Sequence, residues 1–296
     1  MQVNIVSEYK NFTEIMLKIK EDYPNLSKGN KRIADFILNK YEKAAFMTAA
    51  SLGEAVGVSE ATVVRFANYL GFNGYPRFKK VLQEMIKTKL TTTQRIDMSL
   101  DKFDEEHLLN DILTADIDNI RYTLDEFDKD RFQKVIDLIV NAQTVYIVGF
   151  RTTSLLTEFL GYYLDLLLNQ VKVIDSKVGD IYEQIIHAKP GDVVIGISFP
   201  RYSSKTYESM KFLKERGLKV VAITDNEMSP ITRISDYYLI AKSNIISFVD
   251  TITAPMSLMN AIIVAVGLRN REKTKEIFNE LEEIWAEHYI YDNSQS

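Results

Sequence analysis

From residue 145 onward, five short runs rich in β-branched residues recur: VYIVG (145–149), VKVI (171–174), DVVIGIS (192–198), KVVAIT (219–224) and YYLIA (237–241). Each run up to the last is followed by a stretch of helical periodicity. Alternation of buried strand and helix implies a parallel sheet covered on both faces, because a crossover helix is the usual way back to a parallel neighbour. This half of the chain is therefore expected to be an α/β domain with a doubly wound parallel sheet.

The preceding half reads as helix alone. Phe12, Ile15, Met16 and Ile19, then Ile33, Phe36 and Ile37, recur at helical spacing, and Asp22, Pro24, Asn25 and Ser27 mark the break between them. A further run, Phe78, Val81, Leu82, Met85 and Ile86, ends in KTKLTTTQRIDMSLDKFDEE, whose clustered Thr and charged residues lack an apolar period and place a linker near 90–105. Leu108 to Phe127 and Arg131 to Ile139 look like connecting helices. A chain of 296 residues tends to divide its core. The expected organisation is an all-α domain over 1–90, a linker and connecting helix over 91–127, and an α/β domain over 128–296 that ends in a helix.

Zero cysteine excludes a disulfide scaffold, thiolate metal sites and cysteine nucleophiles, and fits a reducing compartment. The start, MQVNIVSEYKNF, has no basic segment leading into an apolar run, and no stretch is apolar enough for a membrane span. A cytoplasmic protein that inserts in no membrane is expected. The formal charge of -5 is unevenly spread: residues 1–95 carry 15 Lys plus Arg against 9 Asp plus Glu, and the rest carry 21 against 32. The basic end suits a polyanionic partner.

Within that end, SLGEAVGVSEATVVRFANYLGF (51–72) reads as two helices and a tight turn. Ser51 with Glu54 has the spacing of a capping box, Gly57-Val58 can turn the chain, and Ser59 can cap a second helix. In the second helix Val63, Phe66, Ala67 and Leu70 share one face, which leaves Glu60, Ala61, Val64, Arg65 and Asn68 on the other. A helix-turn-helix needs this arrangement, since the N-terminal residues of its second helix reach base edges in the major groove. Arg65 can bond guanine in bidentate fashion. Ser59 and Thr62 suit phosphate, and Lys28, Lys31, Arg32, Arg77, Lys79 and Lys80 supply sequence-independent attraction. The expected DNA-binding set is Ser59, Glu60, Ala61, Thr62, Arg65, Asn68, Lys79 and Lys80. The plainer alternative is a helical hairpin with a solvated polar face.

Two hydroxyl-rich loops at strand ends, VGFRTTS (148–154) and GISFPRYSSKT (196–206), each hold an arginine. In open α/β sheets ligands bind beyond the carboxyl ends of the strands, where helix N-termini offer free N–H groups. Arg151, Thr152, Thr153 and Ser154 on one loop are candidates for holding a phosphate and sugar hydroxyls. On the other loop the candidates are Ser198, Arg201, Ser203 and Ser204, with Thr206 beside them. Ordinary helix caps are the competing reading.

Taken with these motifs, the chain resembles RpiR-type transcriptional regulators, a bacterial family joining an N-terminal helix-turn-helix domain to a C-terminal sugar isomerase (SIS) domain. The resemblance covers about residues 10–270. It is most specific at GVSEATVVRFANYLGFNGYPRFK, and extends to GDVVIGIS, ERGLKVVAITDN, and the SP and SD pairs at 229–230 and 235–236. It implies operator DNA as one partner, a phosphorylated sugar or sugar acid as effector, and a homodimer or homotetramer. The chain departs from the common SIS pattern at both loops. Arg151 stands where many SIS domains have the second glycine of G-x-G-x-S, with Thr153 for its serine, and Ser198-Phe199-Pro200-Arg201-Tyr202-Ser203 replaces S-x-S-G-x-T.

Sugar-phosphate isomerases on this fold, the alternative function, need an acid/base residue beside the substrate. His107, His187 and His288 are scattered through different segments, Glu158 and Glu183 fall on helices, and no Walker-type loop is present. The expectation is no catalytic constellation, no metal site and no cofactor. A protein-interaction role for the N-terminal helices is a third reading.

Overall fold

A computed structural model of the chain describes residues 12–89, 91–100, 104–176, 179–244 and 247–291. The N-terminal stretch 1–11, part of the expected linker, and the side chains of Phe12, Met85 and Ile86 lie outside that description. The chain divides into two compact units, Met1–Gln94 and Arg95–Ser296.

The first unit is helical: α1 (Phe12–Asp22), α2 (Lys28–Ala44), α3 (Ala49–Val56), α4 (Glu60–Tyr69) and α5 (Tyr75–Lys89). Its apolar positions converge on one core in which Ile15, Ile19, Ile33, Ile37, Leu52, Phe66, Phe78 and Leu82 are fully buried. Short hydroxyl side chains start the helices, with Ser27 accepting from the Asn30 amide and Ser59 from the Thr62 amide. The box expected at Ser51 and Glu54 is not the one formed. Thr48 is the cap, its hydroxyl accepting from the Ser51 amide at 3.0 Å while Ser51 Oγ accepts from the Thr48 amide at 2.7 Å. The helix begins earlier because Ala49 belongs to the core, so Ser51 closes the box instead of opening it.

The Thr-rich segment read as linker contains a helix, α6 (Thr92–Leu100), which spans the division between the units. Thr91 and Gln94 make its box: Thr91 Oγ1 accepts from the Gln94 amide, and Gln94 Oε1 from the Thr91 amide.

The second unit continues with α7 (Leu108–Asp125), α8 (Lys129–Val140), β1 (Val145–Val148), α9 (Ser154–Leu167), β2 (Val171–Ile174), α10 (Ile181–Gln184) and β3 (Val193–Ile197). Then come α11 (Ser204–Glu215), β4 (Lys219–Thr224), β5 (Tyr237–Ile240), α12 (Thr253–Arg269) and α13 (Arg271–Glu287). The helix α7, read as a connecting element, thus counts with the α/β unit. The five strands form one parallel sheet in the order β2-β1-β3-β4-β5, with Val145 opposite both Val171 and Val193. Alternate strand residues serve two cores. Val145, Ile147, Ile195 and Ile223 pack with α8, α9 and α12, whereas Tyr146, Val148, Val194 and Val220 pack with Met210 and Leu213 of α11. The strand order reverses between β1 and β3, and in open α/β sheets the crevice beyond the carboxyl ends of the strands at such a point is where ligands bind.

The apolar stretches 159–168 and 251–268 suggest either core or a contact between subunits. Leu160, Leu164, Leu167, Leu258, Met259, Ile262 and Val266 are core, leaving Tyr162, Val264 and Leu268 exposed. A longer exposed apolar stripe runs along α7, where Leu109, Leu113, Ile117, Ile120 and Leu124 follow one another at helical spacing.

Candidate functional site

The helix-turn-helix is α3, a turn and α4. Gly57 ends α3 in the left-handed conformation (φ +69°), and its carbonyl accepts from Arg32 Nη1 at 3.2 Å. Gly53 lies where the turn returns over α3: a Cβ there would stand 2.7 Å from the Val58 carbonyl oxygen. The two helices therefore meet at a distance only glycine permits.

On α4, Val63, Phe66, Ala67 and Leu70 face the core, as their spacing predicts. Val64 does not join the outward face; it is half-buried and packs on the same core, because the apolar stripe of a core-facing helix is wider than the four residues assigned to it. Ser59, Glu60, Ala61 and Arg65 are exposed and Thr62 is partly so. These side chains are mutually organised. The Ser59 and Thr62 hydroxyls lie 2.9 Å apart, and Arg65 Nη2 donates to Thr62 Oγ1 at 3.1 Å. Arg65 thus lies back toward the N-terminal turn of α4, the end that a recognition helix inserts first.

Asn68 is exposed but committed elsewhere, its Oδ1 accepting from the Gly74 amide at 2.9 Å and fixing the connection to α5. A bidentate contact to adenine uses both amide atoms, so Asn68 cannot make one in this conformation. Lys79 and Lys80 sit on α5. Lys79 donates to the Phe46 carbonyl and Lys31 to that of Pro24, whereas Lys28, Arg77 and Lys80 are exposed. Tyr75, buried between α5 and the α2–α3 connection, donates to the Ala44 and Met47 carbonyls, and burial pushes its hydroxyl up to about 12.

In the second unit the two hydroxyl-rich loops follow β1 and β3, on either side of the point where the strand order reverses. Arg151 and Arg201 share a feature that no periodicity reveals: both have φ +66°, the left-handed region that disfavours side chains. Both stand at positions where the common SIS pattern carries glycine, and both keep the glycine-type backbone.

The hydroxyls divide into occupied and orphaned. Thr153 is buried and donates to the Phe150 carbonyl at 2.9 Å, which makes it a brace for the turn. Ser198 Oγ accepts from the Ser203 amide, and Ser203 Oγ caps α11 by accepting from the Thr206 amide, each at 3.3 Å. Ser204 is exposed and Ser154 half-buried. Thr206, in the first turn of α11, is fully buried with its hydroxyl unpartnered. Thr152 Oγ1 donates to Asp250 Oδ2 at 3.3 Å. Asp225, beyond β4, accepts from Tyr202 at 2.8 Å and ties down the β3 loop next to Arg201. Asp250 and Asp225 were not legible as site residues, although the TDN of the family pattern points at the second.

No acid/base group converges on the loops from the residues considered for catalysis. Glu183 Oε2 accepts from the Asp180 amide as half of a capping box at α10, and Glu158 is exposed on α9. His107 pairs with Asp104 at 3.3 Å; with Glu106 these make an exposed trio of metal-ligand type on the turn before α7. A cavity of about 380 Å³ lies at the opposite, N-terminal end of the strands, lined by Leu138, Asp192, Val193, Lys219 and Tyr237 among others. No helix of the described residues is long and apolar enough to cross a membrane.

Comparison with known proteins agrees with this architecture. The helix-turn-helix domain of the rpiR family matches residues 13–89, and the SIS domain matches residues 138–265, together more than half of the chain. A protein of Clostridium perfringens strain 13, named as an HTH-type transcriptional regulator, is 28% identical over 259 residues, 86% of this chain and 90% of its own length. A Thermotoga maritima protein of the same description is 28% identical over 227 residues, 76% and 80% of the two chains. Among solved structures, the sugar isomerase domain of an RpiR transcription factor from Sphaerobacter thermophilus superposes with a TM-score of 0.57 at 24% identity, covering 60% of this chain and 99% of that one. The Vibrio vulnificus NanR protein complexed with ManNAc-6P gives 0.54 at 18% identity over 92% and 98%. The chain belongs to the RpiR-type transcriptional regulators, a helix-turn-helix domain of the rpiR family followed by a SIS domain.

Proposed function

We propose that this chain is a DNA-binding transcriptional regulator whose SIS domain senses a phosphorylated sugar or sugar acid without transforming it. The observation that carries the DNA-binding half is the exposed first turn of α4, where Thr62 holds the Arg65 guanidinium at the end that enters a major groove. Arg65 reads guanine, Ser59 and Thr62 meet phosphate, and Lys28, Arg77 and Lys80 add charge that positions the protein without selecting sequence. Glu60 and Ala61 complete the reading surface.

The effector half rests on the two loops at the switch point. Ser198, Ser203 and Ser204 at the start of α11 suit a phosphate, and Arg151 and Arg201 add two guanidinium groups. The Vibrio vulnificus NanR complex with a phosphorylated amino sugar supports this class of ligand. The carboxylates beside the loops, Asp250 and Asp225, are engaged by Arg95 and Thr152 and by Tyr202, which favours sensing over isomerisation. The protein works in the cytoplasm, as a homodimer or higher assembly that presents two reading helices to successive grooves about 34 Å apart. The apolar stripe on α7 is the surface we assign to that pairing.

A thermal-shift screen of phosphorylated sugars and sugar acids tests the effector half. A cognate compound at a hundredfold excess over Kd adds about 2.7 kcal/mol of stability. An Arg151→Ala/Arg201→Ala chain should lose most of that gain. Turnover of any compound by the purified protein would contradict sensing without chemistry.

A further inference from the structure

Arg95 lies in the polar, Thr-rich run that resembles a linker, yet its side chain is only 4% exposed. It is the one basic residue classed as buried among the described residues. A guanidinium removed from water needs a counter-charge. Asp250, in the segment between β5 and α12, provides it, its Oδ1 accepting from Arg95 Nη1 at 2.7 Å. The other oxygen of the same carboxylate accepts from Thr152 in the loop after β1. One carboxylate therefore holds two elements far apart in sequence: α6, which carries the chain out of the helix-turn-helix unit, and the loop at the ligand crevice.

The segment bearing Asp250 is itself held from a third direction. Asp116 on α7 accepts from the Thr251 and Thr253 hydroxyls, Asn119 bonds the Asn244 backbone, and the Lys242 amide donates to Thr123. With the neighbouring Thr251 and Thr253 side chains held to α7, a shift of Asp250 toward one partner changes its geometry to the other. The two contacts are unequal. The bond to Arg95 is short and charge-assisted, whereas 3.3 Å is long for an O–H···O bond. Thr152 is thus the partner that a ligand oxygen can take over.

We propose that Asp250 and Arg95 are positioning residues of the effector loop, and that through them the state of Thr152 is passed to α6. The proposal rests on the effector reading only in taking the β1 loop as the ligand's contact. A ligand oxygen that accepts the Thr152 hydrogen bond frees one Asp250 oxygen, the carboxylate reorients about Arg95, and α6 changes its restraint. By linkage, anything that displaces α6 changes ligand affinity by the same factor.

The test is hydrogen–deuterium exchange of the full chain without ligand, read in peptides covering 92–100 and 150–157. Thr152→Val, which removes the hydroxyl at nearly constant shape, should speed exchange in 92–100 by about fivefold, the lower end of usual coupling between sites. Asp250→Asn should speed both peptides, and adding Thr152→Val to it should change 92–100 no further. An unchanged 92–100 peptide in folded Thr152→Val, or additive effects in the double variant, would overturn the proposal. Should Asp250→Asn fail to fold, Thr152→Val decides alone. A failed sugar-phosphate screen would sink the effector reading while leaving this coupling intact, so the two failures are distinguishable.

Discussion

Replacing Arg151 by glycine should make the protein more stable, although the change deletes a long side chain. At φ +66° the Cβ of an L-residue crowds the following carbonyl, a cost of about 1–2 kcal/mol. Glycine removes that cost but loses more backbone freedom on folding, about 0.5–1 kcal/mol. The net lies between about 0 and 1.5 kcal/mol, with a midpoint of about 0.75 kcal/mol in favour of glycine. Because Arg151 is exposed, truncating its side chain contributes little by itself. Alanine is the control: it truncates equally but keeps the Cβ, so Arg151→Ala should stay within about 0.5 kcal/mol of the parent. In a unit of this size each kcal/mol moves Tm by about 2–4 °C, so Arg151→Gly should melt about 1–4 °C higher than both the parent and Arg151→Ala. Thermal unfolding followed by circular dichroism measures the three proteins side by side. If Arg151→Gly melts with or below Arg151→Ala, the left-handed backbone carries no strain and the reasoning fails. Strain of this kind persists at functional sites when the side chain it keeps is needed there.

Three further outcomes follow from the helical unit. Gly53→Ala places a Cβ 2.7 Å from the Val58 carbonyl oxygen, forces α3 and α4 apart and should cost about 1–3 kcal/mol in chemical denaturation. Tyr75 titrates at about 12 when folded against an ordinary 10, so its neutral form favours the fold: its stabilisation is full below pH 10 and is lost as pH rises from 10 to 12. Tyr75→Phe, which leaves the Ala44 and Met47 carbonyls without this donor, should lower stability at neutral pH and flatten that alkaline loss. Lys80→Ala should weaken binding to all duplexes alike and reduce the slope of log K against log salt by about 0.9, whereas an unchanged slope would remove Lys80 from the phosphate contacts.

Much of the architecture was legible because it depends on local pattern. Short β-branched runs between helical stretches fixed the parallel sheet, and the Ser59 cap and the four core residues of α4 followed from spacing alone. Boundaries were harder. Thr48 and Ser51 both have the chemistry of a cap, and only the burial of Ala49 decides between them. The run 91–100 lacks an apolar period, yet its Thr91–Gln94 box is a helix-start signal that an apolar-pattern reading passes over. The site divides the same way. Arg151 and Arg201 were visible as residues on loops, but their shared backbone conformation and the occupied hydroxyls of Thr153, Ser198 and Ser203 exist only in three dimensions. Asp250 could not be found from sequence, since it reaches Thr152 from 98 residues away.

If the first turn of α4 reads DNA sequence, Arg65 is its most informative side chain. The direct measurement is the affinity of the full chain and of Arg65→Ala for an operator selected from random duplexes, against a scrambled duplex at the same salt. The parent should prefer the operator by at least about a thousandfold. Arg65→Ala should lose about 1–3 kcal/mol on the operator and far less on the scrambled duplex. Equal affinity of the parent for both duplexes, or an equal loss on both in Arg65→Ala, would contradict it.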